Sequence, residues 1–290
     1  MTNKIRKAVF PAAGHGTRFL PATKASPKEM MPVVDKPLIQ YSFEEAVESG
    51  IESILIITGR DKGPIVNHFD ISYELERMLD DRGKVDLFKK VRAISQMARV
   101  CYTRQQLAKG LGHAIYQAKD FSENEPFAVL LADDMVHAEV PAIKQMMDVY
   151  EKYEAPVIAT MQVEGENISR FGVIDAEEVE EGVYKIKDMV EKPSFEDAPS
   201  DLAIIGRYIL TPDIFPAIER TEEGAGGEIQ ITDAMRLLLR EGKPFYALKL
   251  DGKRYDAGDK LGFLIATVEF ALEREDLGES FKEYLKSLDL

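Results

Sequence analysis

The first half of the chain alternates short apolar runs with segments of helical period, and this alternation constrains the fold more than any other feature. Strand-length apolar runs separated by helices predict a mixed, mostly parallel sheet that is flanked by helices on both faces. The apolar runs are 8–10, 54–57, 100–102, 128–131 and 157–159. The helix-period segments lie at about 38–49, 84–94, 112–120 and 139–152. We therefore predict an α/β fold.

After about residue 164 the pattern changes to shorter stretches in which apolar and polar residues alternate. Residues 172–175 and 183–186, with Gly182 between them, predict an antiparallel hairpin that extends the sheet. Beyond residue 259, apolar residues recur at helical spacing, and Gly278 is the predicted break between two C-terminal helices. Since no repeat or low-complexity linker divides the chain, we predict a single domain over 1–290, with approximate sections 1–163, 164–258 and 259–290.

Composition narrows the class of partner. A formal net charge of −14 repels nucleic-acid backbones and anionic lipid, so we expect neither as a partner. No segment approaches the roughly 18 uninterrupted apolar residues of a membrane helix, and the first ten residues lack the apolar stretch of a signal peptide. Cys101 is the only cysteine, which excludes an intrachain disulfide and favours a reducing compartment. We therefore expect a cytoplasmic protein.

A run of small residues, 11–21, follows the first apolar run. The carboxyl end of a buried parallel strand is where open α/β sheets bind ligands. Backbone N–H groups of residues 13–17 can turn toward a phosphate, and Arg18 can add a fork of donors. A dinucleotide fingerprint would need a third glycine where Phe19 stands, and the Gly-Lys-Ser/Thr of a Walker A loop occurs nowhere in the chain. The alternative is a tight strand-to-helix turn without a ligand.

Together with its continuation, this loop resembles the signature of the sugar-phosphate nucleotidyltransferase superfamily. The motif G-x-G-T-R stands at 14–18, P-K-x-M-x-P at 27–32 and K-P at 36–37. The resemblance implies the Rossmann-like nucleotide-diphospho-sugar transferase fold, with a nucleotide-binding half in 1–163 and a sugar-phosphate-binding half in 164–258. It further implies that Arg18 and Lys28 act in catalysis by holding phosphate oxygens. The nucleotide-binding residues that it implies around this loop are Ala12, Ala13, Gly14, Gly16, Thr17 and Glu29.

The segment 102–115 leads from a strand into a helix and is the predicted base-reading segment. The primary amide of Gln105 carries a donor and an acceptor that could pair with uracil N3–H and O4, and Gly110 would let the backbone approach the ring. Gln106 is the neighbouring alternative, and the family's spacing to Gly110 favours Gln105. With 67–76, this segment resembles the uridylyl-transferring subgroup. We therefore expect UTP and glucose 1-phosphate as substrates, and UDP-glucose and pyrophosphate as products.

Two aspartates, Asp133 and Asp134, end the fourth apolar run at the level of the glycine loop. One or two carboxylates combined with substrate phosphates are the usual ligands of Mg²⁺ in proteins. The resemblance implies that Asp133 binds Mg²⁺ and that Asp256, within 254–259, is a second metal ligand. The alternative is that both residues of the Asp-Asp pair cap a following helix.

The sugar-phosphate site is predicted from a second set of motifs. The resemblance implies that Glu191 reads the sugar, that Lys192 steers its phosphate and takes part in catalysis, and that the Gly172 backbone lines the site. Without the resemblance, an adjacent Glu-Lys pair is more typical of a solvated ion pair. We interpret Thr232, within 227–233, as a helix cap.

The predicted reaction is an in-line attack by a glucose 1-phosphate oxygen on the α-phosphorus of UTP, assisted by Mg²⁺. A related enzyme with another nucleotide or sugar 1-phosphate is one alternative, and a non-catalytic homologue that senses nucleotide sugars is another. The apolar C-terminal helices predict a homo-oligomer, either a dimer or a tetramer. The four histidines are scattered along the chain, so we interpret His15, His68, His113 and His137 as structural.

Overall fold

The five apolar runs all form strands of one sheet in the computed structural model, which describes residues 4–289. In chain order the strands are β1 (Lys7–Ala12), β2 (Pro32–Val33), β3 (Lys36–Pro37), β4 (Ser53–Thr58), β5 (Arg99–Arg104), β6 (Phe127–Leu130), β7 (Asp134–His137), β8 (Val157–Gln162), β9 (Gly172–Glu180), β10 (Val183–Glu191), β11 (Leu202–Leu210), β12 (Tyr246–Lys249) and β13 (Lys253–Asp256). The helices are α1 (Leu38–Glu48), α2 (Gly63–Phe69), α3 (Tyr73–Asp81), α4 (Val85–Ser95), α5 (Leu111–Tyr116), α6 (Lys119–Ser122), α7 (Ala142–Tyr153), α8 (Ile214–Arg220), α9 (Ile231–Arg240), α10 (Lys260–Leu272) and α11 (Gly278–Lys286).

The main sheet is mixed, as predicted, and seven of its nine strands run in the same direction. Its strand order is β5-β4-β1-β6-β11-β8-β12-β10-β9. Strands β5, β4, β1 and β6 are parallel, with Ala8 paired to Ile54 on one side and to Ala128 on the other. Strand β11 is antiparallel to both of its neighbours, β6 and β8, and β10 is antiparallel to β12 and β9. The sheet therefore combines strands from both halves of the chain.

Helices cover both faces of the sheet, which explains why its central strands are apolar throughout. Successive side chains of a strand point to opposite faces. In β1, Val9 packs in a core with α5, α8 and α9, whereas Ala8 and Phe10 pack in a second core with α1, α2 and α7. All three side chains are fully buried. A parallel strand with two covered faces needs such a continuous apolar run.

The predicted hairpin and C-terminal helices are present, with small differences in their bounds. Gly182 adopts φ +72° in the turn between β9 and β10. Gly278 begins α11, so the break between the helices precedes it, and its Cα passes against the Leu272 carbonyl where a Cβ would clash. The predicted helix 112–120 is divided into α5 and α6. Bonds from Gln117 N to Ala114 O and from Ala118 N to Ile115 O tighten the last turn of α5.

None of the helices within residues 4–289 is long and apolar enough to cross a membrane.

Candidate active site

A cavity of about 580 Å³ lies at the carboxyl ends of β1, β5 and β6, and it gathers nearly all of the predicted site residues. Ala12 is the exception, since it is buried at the end of β1. The predicted residues that line the cavity are Ala13, Gly14, Gly16, Thr17, Arg18, Lys28, Glu29, Gln105, Gly110, Asp133, Gly172, Glu191, Lys192 and Asp256. Motifs from both halves of the chain therefore meet in one place.

The glycine loop is held against the segment that carries Lys28. Gly16 adopts φ +64°, a left-handed conformation that favours glycine. A Cβ built on Gly16 would lie 3.2 Å from the Lys28 Cβ. The Thr23 hydroxyl donates to the Gly16 carbonyl at 2.8 Å. This close approach brings the loop amides and the Lys28 side chain to the same side of the cavity.

Lys28 and Asp133 form an ion pair in the cavity, with 2.6 Å between Nζ and Oδ2. Burial opposes the charge on Lys28, but the carboxylates of Asp133 and Glu29 outweigh it and raise the Lys28 pKa. Burial likewise opposes the charge on Asp133, and the Lys28 ammonium outweighs it and lowers the Asp133 pKa. Both groups are therefore charged near neutral pH. The predicted phosphate-binding lysine and the predicted metal ligand are direct neighbours.

Asp133 and Asp256 face a common space beside Gly258. A Cβ built on Gly258 would lie 2.7 Å from Asp133 Oδ2 and 3.0 Å from Asp256 Oδ1. Burial raises the Asp256 pKa despite the nearby Arg254 charge. Two carboxylates around a position that lacks a side chain fit a divalent cation. Within residues 4–289 no group of three His, Cys, Asp or Glu residues could hold a metal, so substrate oxygens would have to complete its coordination.

The alternative of a helix cap is wrong for the Asp133-Asp134 pair. Asp134 begins strand β7, which pairs with β13 through the register Asp134 to Asp256. Its carboxylate forms an ion pair with Arg254 and accepts a hydrogen bond from Gly206 N at 2.6 Å. The side chain of Asp134 therefore links β7 to β11 and to β13. These contacts hold in place the backbone that carries Asp133 and Asp256.

The predicted base-reading segment contributes Gln105 and Gly110 to the lining of the cavity. Gln105 follows β5, is only 7% exposed, and donates from Nε2 to the Gly110 carbonyl at 3.1 Å. Gln106 is exposed to solvent, and the cavity is lined by Gln105. Gly110 adopts φ +93°, and a Cβ there would lie 2.8 Å from the Ile229 carbonyl oxygen. A glycine is therefore required at this position by both backbone conformation and space.

The sugar-phosphate motifs also line the cavity, through Gly172, Glu191, Lys192 and Thr232. The Thr232 hydroxyl donates to Glu191 Oε2 at 2.7 Å. Helix α9 begins at Ile231 with Gln230 at its N-cap, so the interpretation of Thr232 as a helix cap is wrong. A Cβ on Gly172 would lie 3.2 Å from Glu191 Oε2, which leaves room for the carboxylate. Lys192, at φ +45°, places Nζ 3.5 Å from Glu191 Oε1.

Several charged residues of the site were not singled out from the sequence. Arg170 lines the cavity and pairs with Asp256 and Asp259, with 3.8 Å and 3.0 Å between the charged atoms. Lys62 pairs with Glu29 at 2.7 Å, and both side chains are buried. Lys62 follows β4 at the edge of the sheet where the glycine loop lies, and this placement was a signal available in the sequence.

The histidines do not form a common site. His15 lies in the glycine loop and lines the cavity, whereas His113 lies 3.0 Å from Gln105 Nε2. His68 is hydrogen-bonded to Gln40, and His137 lies beside Glu273. His15 and His113 thus lie at or beside the cavity, whereas His68 and His137 contact residues outside its lining.

A mixed α/β sheet with a glycine-lined cavity that carries both cationic side chains and carboxylates is typical of a nucleotidyl transferase. The Nucleotidyl transferase family model matches residues 7–273, and the chain belongs to this family. The predicted superfamily and fold are thereby confirmed.

Particular relatives are similar over nearly the whole chain. UTP–glucose-1-phosphate uridylyltransferase of Bacillus subtilis (strain 168) is 52% identical over 285 residues, which cover 98% of this chain and 97% of that protein. The solved UDP-glucose pyrophosphorylase complexed with UDP-glucose has a TM-score of 0.85 and 49% identity, and the match covers 93% of this chain and 100% of that chain. UTP-bound UGPase from Acinetobacter baumannii has a TM-score of 0.89 and 38% identity, with 98% and 100% covered.

Proposed function

We propose that this protein is a UTP–glucose-1-phosphate uridylyltransferase, which forms UDP-glucose and pyrophosphate. The observation that carries the proposal is a cavity in which Arg18, Lys28 and Asp133 from the first half face Glu191 and Lys192 from the second. The nearly full-length relatives named for this activity support the same substrates. Such a cavity suits a reaction between two phosphorylated molecules, because each half of the chain supplies cations for one of them.

The reaction forms a bond between a glucose 1-phosphate oxygen and the α-phosphorus of UTP, and breaks the bond from that phosphorus to the bridging oxygen of pyrophosphate. The attacking phosphate is already ionised near neutral pH, so the chain needs no general base. Arg18 and Lys28 would hold the UTP phosphates, and Lys192 would hold the sugar phosphate. Holding both reactants in line can supply roughly 7–11 kcal/mol of the barrier.

Asp133 and Asp256 would hold Mg²⁺, the metal that we propose for the site. When bound there, Mg²⁺ supplies positive charge to the phosphate oxygens. The space beside Gly258 and the two hard oxygen donors support this choice. Before the substrates bind, the ammonium of Lys28 compensates the negative charge of the Asp133 carboxylate.

The function can be tested by offering the purified protein UTP, dTTP or CTP with glucose 1-phosphate or other hexose 1-phosphates, in the presence of Mg²⁺. Pyrophosphate release and the mass of the nucleotide sugar would be measured, and a chelator would be added in parallel. We expect UTP with glucose 1-phosphate to react fastest, and the chelator to stop the reaction. A preference for another pair would point to a related enzyme. Binding of UDP-glucose without turnover of any pair would point to the sensing homologue.

Replacement of Lys192 tests the assignment of the sugar-phosphate site. We expect Lys192→Met to raise KM for glucose 1-phosphate by about tenfold or more, because one charge-assisted hydrogen bond to a phosphate is lost. KM for UTP should change little. Lys185→Met is the matched control, since Lys185 is an exposed lysine on β10, the strand that ends just before Lys192. An equal rise in both KM values for Lys192→Met would contradict the assignment.

We further propose a homo-oligomer, a dimer or a tetramer, supported by the apolar surface of α10. Leu261, Leu264 and Ile265 are 67%, 59% and 43% exposed there. Light scattering coupled to gel filtration would give the mass of the assembly. A cytoplasmic location remains a prediction that rests on the single cysteine, Cys101.

A further inference from the structure

Among residues 4–289, the side-chain amide of Gln105 has two hydrogen-bond partners. Its Nε2 lies 3.1 Å from the Gly110 carbonyl oxygen and 3.0 Å from His113 Nδ1. We propose that His113 is a positioning residue that fixes Gln105 as a pure hydrogen-bond acceptor toward the nucleobase, and so selects bases with N3–H against cytosine. This inference rests on the proposed function, since it concerns how the same cavity chooses its nucleotide.

The orientation of the amide follows from the chemistry of its two partners. A carbonyl oxygen can only accept, so the amide nitrogen of Gln105 must face Gly110. The second hydrogen of that nitrogen points to His113 Nδ1, which must then be the unprotonated nitrogen of a neutral imidazole. Burial lowers the His113 pKa, and the charge of Lys109 lowers it further, so the neutral ring is favoured. Both amide hydrogens are therefore used within the protein.

The oxygen of the amide is the group that remains for a ligand. Gln105 lines the cavity, whereas His113 lies behind it on α5 and outside the cavity lining. From the sequence we expected Gln105 to offer uracil both a donor and an acceptor. In this orientation it offers only the acceptor, its Oε1. Because His113 acts on the base only through Gln105, it is a positioning group.

An acceptor at this place distinguishes pyrimidines by the protonation of ring nitrogen 3. Uracil and thymine carry N3–H and can donate to Gln105 Oε1, whereas cytosine presents an unprotonated N3 that repels it. A site built around one hydrogen bond can reject a ligand that cannot make it by 10⁴- to 10⁵-fold, as an order of magnitude, whereas a single methyl group gives about 10- to 200-fold. The amide orientation therefore predicts rejection of CTP and leaves the choice between UTP and dTTP to other contacts.

The backbone around the amide is rigid enough to keep this geometry. The Gly110 carbonyl also accepts from Ala114 N at 3.1 Å, and Gly112 N donates to the Ile229 carbonyl at 2.9 Å. Gly110 itself has no room for a Cβ. His113 is then the one partner of the amide that a side-chain substitution can change.

The test compares two replacements that differ in one property. In His113→Asn the side-chain oxygen can accept at the position of Nδ1, whereas His113→Leu has a similar size and no acceptor. The values of kcat/KM for UTP, CTP and dTTP would be measured with glucose 1-phosphate. We expect His113→Leu to lower the UTP:CTP ratio by about tenfold or more, and His113→Asn to keep it within about threefold of wild type. The UTP:dTTP ratio should stay constant in both, because both bases carry N3–H.

An unchanged UTP:CTP ratio in His113→Leu, or a parallel loss of both ratios, would overturn the proposal. The affinities for UDP and CDP, measured by calorimetry, give the same comparison without turnover. If the His113→Leu protein does not fold, His113→Ala takes its place. Failure of the wild-type protein to use UTP would instead overturn the proposed function. Selective binding of UDP over CDP, lost in the leucine variant, would still support the role of His113.

Discussion

Asp133→Asn should lower kcat by roughly 10³-fold, the scale of losing one preorganised electrostatic group. The amide keeps the shape of the carboxylate but removes the charge that pairs with Lys28 at 2.6 Å and faces Asp256 beside Gly258. Both the proposed metal site and the placement of Lys28 depend on that charge. The initial rate of pyrophosphate release at saturating UTP and glucose 1-phosphate would give kcat directly.

Asp80→Asn is the matched control, since it makes the same chemical change on the exposed surface of α3. We expect it to leave kcat within about twofold of the wild-type value, because surface substitutions rarely change more than a few tenths of a kcal/mol. Thermal melting of both variants would show that the fold is intact. If the Asp133→Asn protein were well folded and fully active, Asp133 would have no role in the reaction.

Arg207→Leu should destabilise the protein by about 3–5 kcal/mol, the cost of breaking a buried ion pair. Arg207 lies on β11, is fully buried, and donates to the Glu45 carboxylate at 3.0 Å and 2.7 Å. It also donates to the Leu131 carbonyl at 3.0 Å. Burial opposes its charge, but Glu45 outweighs this effect and raises the Arg207 pKa. The leucine variant leaves a buried carboxylate without its cation, and urea unfolding would measure the loss.

Two comparisons make this prediction specific. In the double variant Glu45→Met with Arg207→Leu, no unpaired charge remains, and we expect recovery of at least half of the lost stability. Arg220→Leu breaks the half-exposed pair with Glu241 and should lower the free energy of unfolding far less than Arg207→Leu does, because solvent screens exposed pairs. If Arg207→Leu and Arg220→Leu had equal effects on the free energy of unfolding, the argument from burial would fail.

The sequence was most informative where the signal is local. Strands 8–10 and 54–57 follow from short apolar runs, and the hairpin at Gly182 follows from alternation and a turn residue. The motifs around Arg18 and Lys28 predicted one wall of the cavity because their residues are contiguous in the chain.

Features that depend on distant partners were missed or misassigned. Asp134 meets Arg254 across 120 positions of the chain, so nothing near Asp134 distinguishes a strand from a helix cap. Thr232 reaches Glu191 across 41 positions, and its helix-cap interpretation failed for the same reason. The amide of Gln105 was placed correctly in the cavity, but its orientation depends on His113, which local patterns could not reveal.

The position of β11 in the sheet determines when the sheet can form during synthesis of the chain. Both neighbours of β8, β11 and β12, come from residues after 200, and β6 gains its second neighbour from β11. A chain that has left the ribosome only as far as residue 163 therefore carries an unpaired β8 and an open edge at β6, which invites association with other strands. The sheet is complete only after Lys249 has been synthesised, which supports the prediction that the chain forms a single domain.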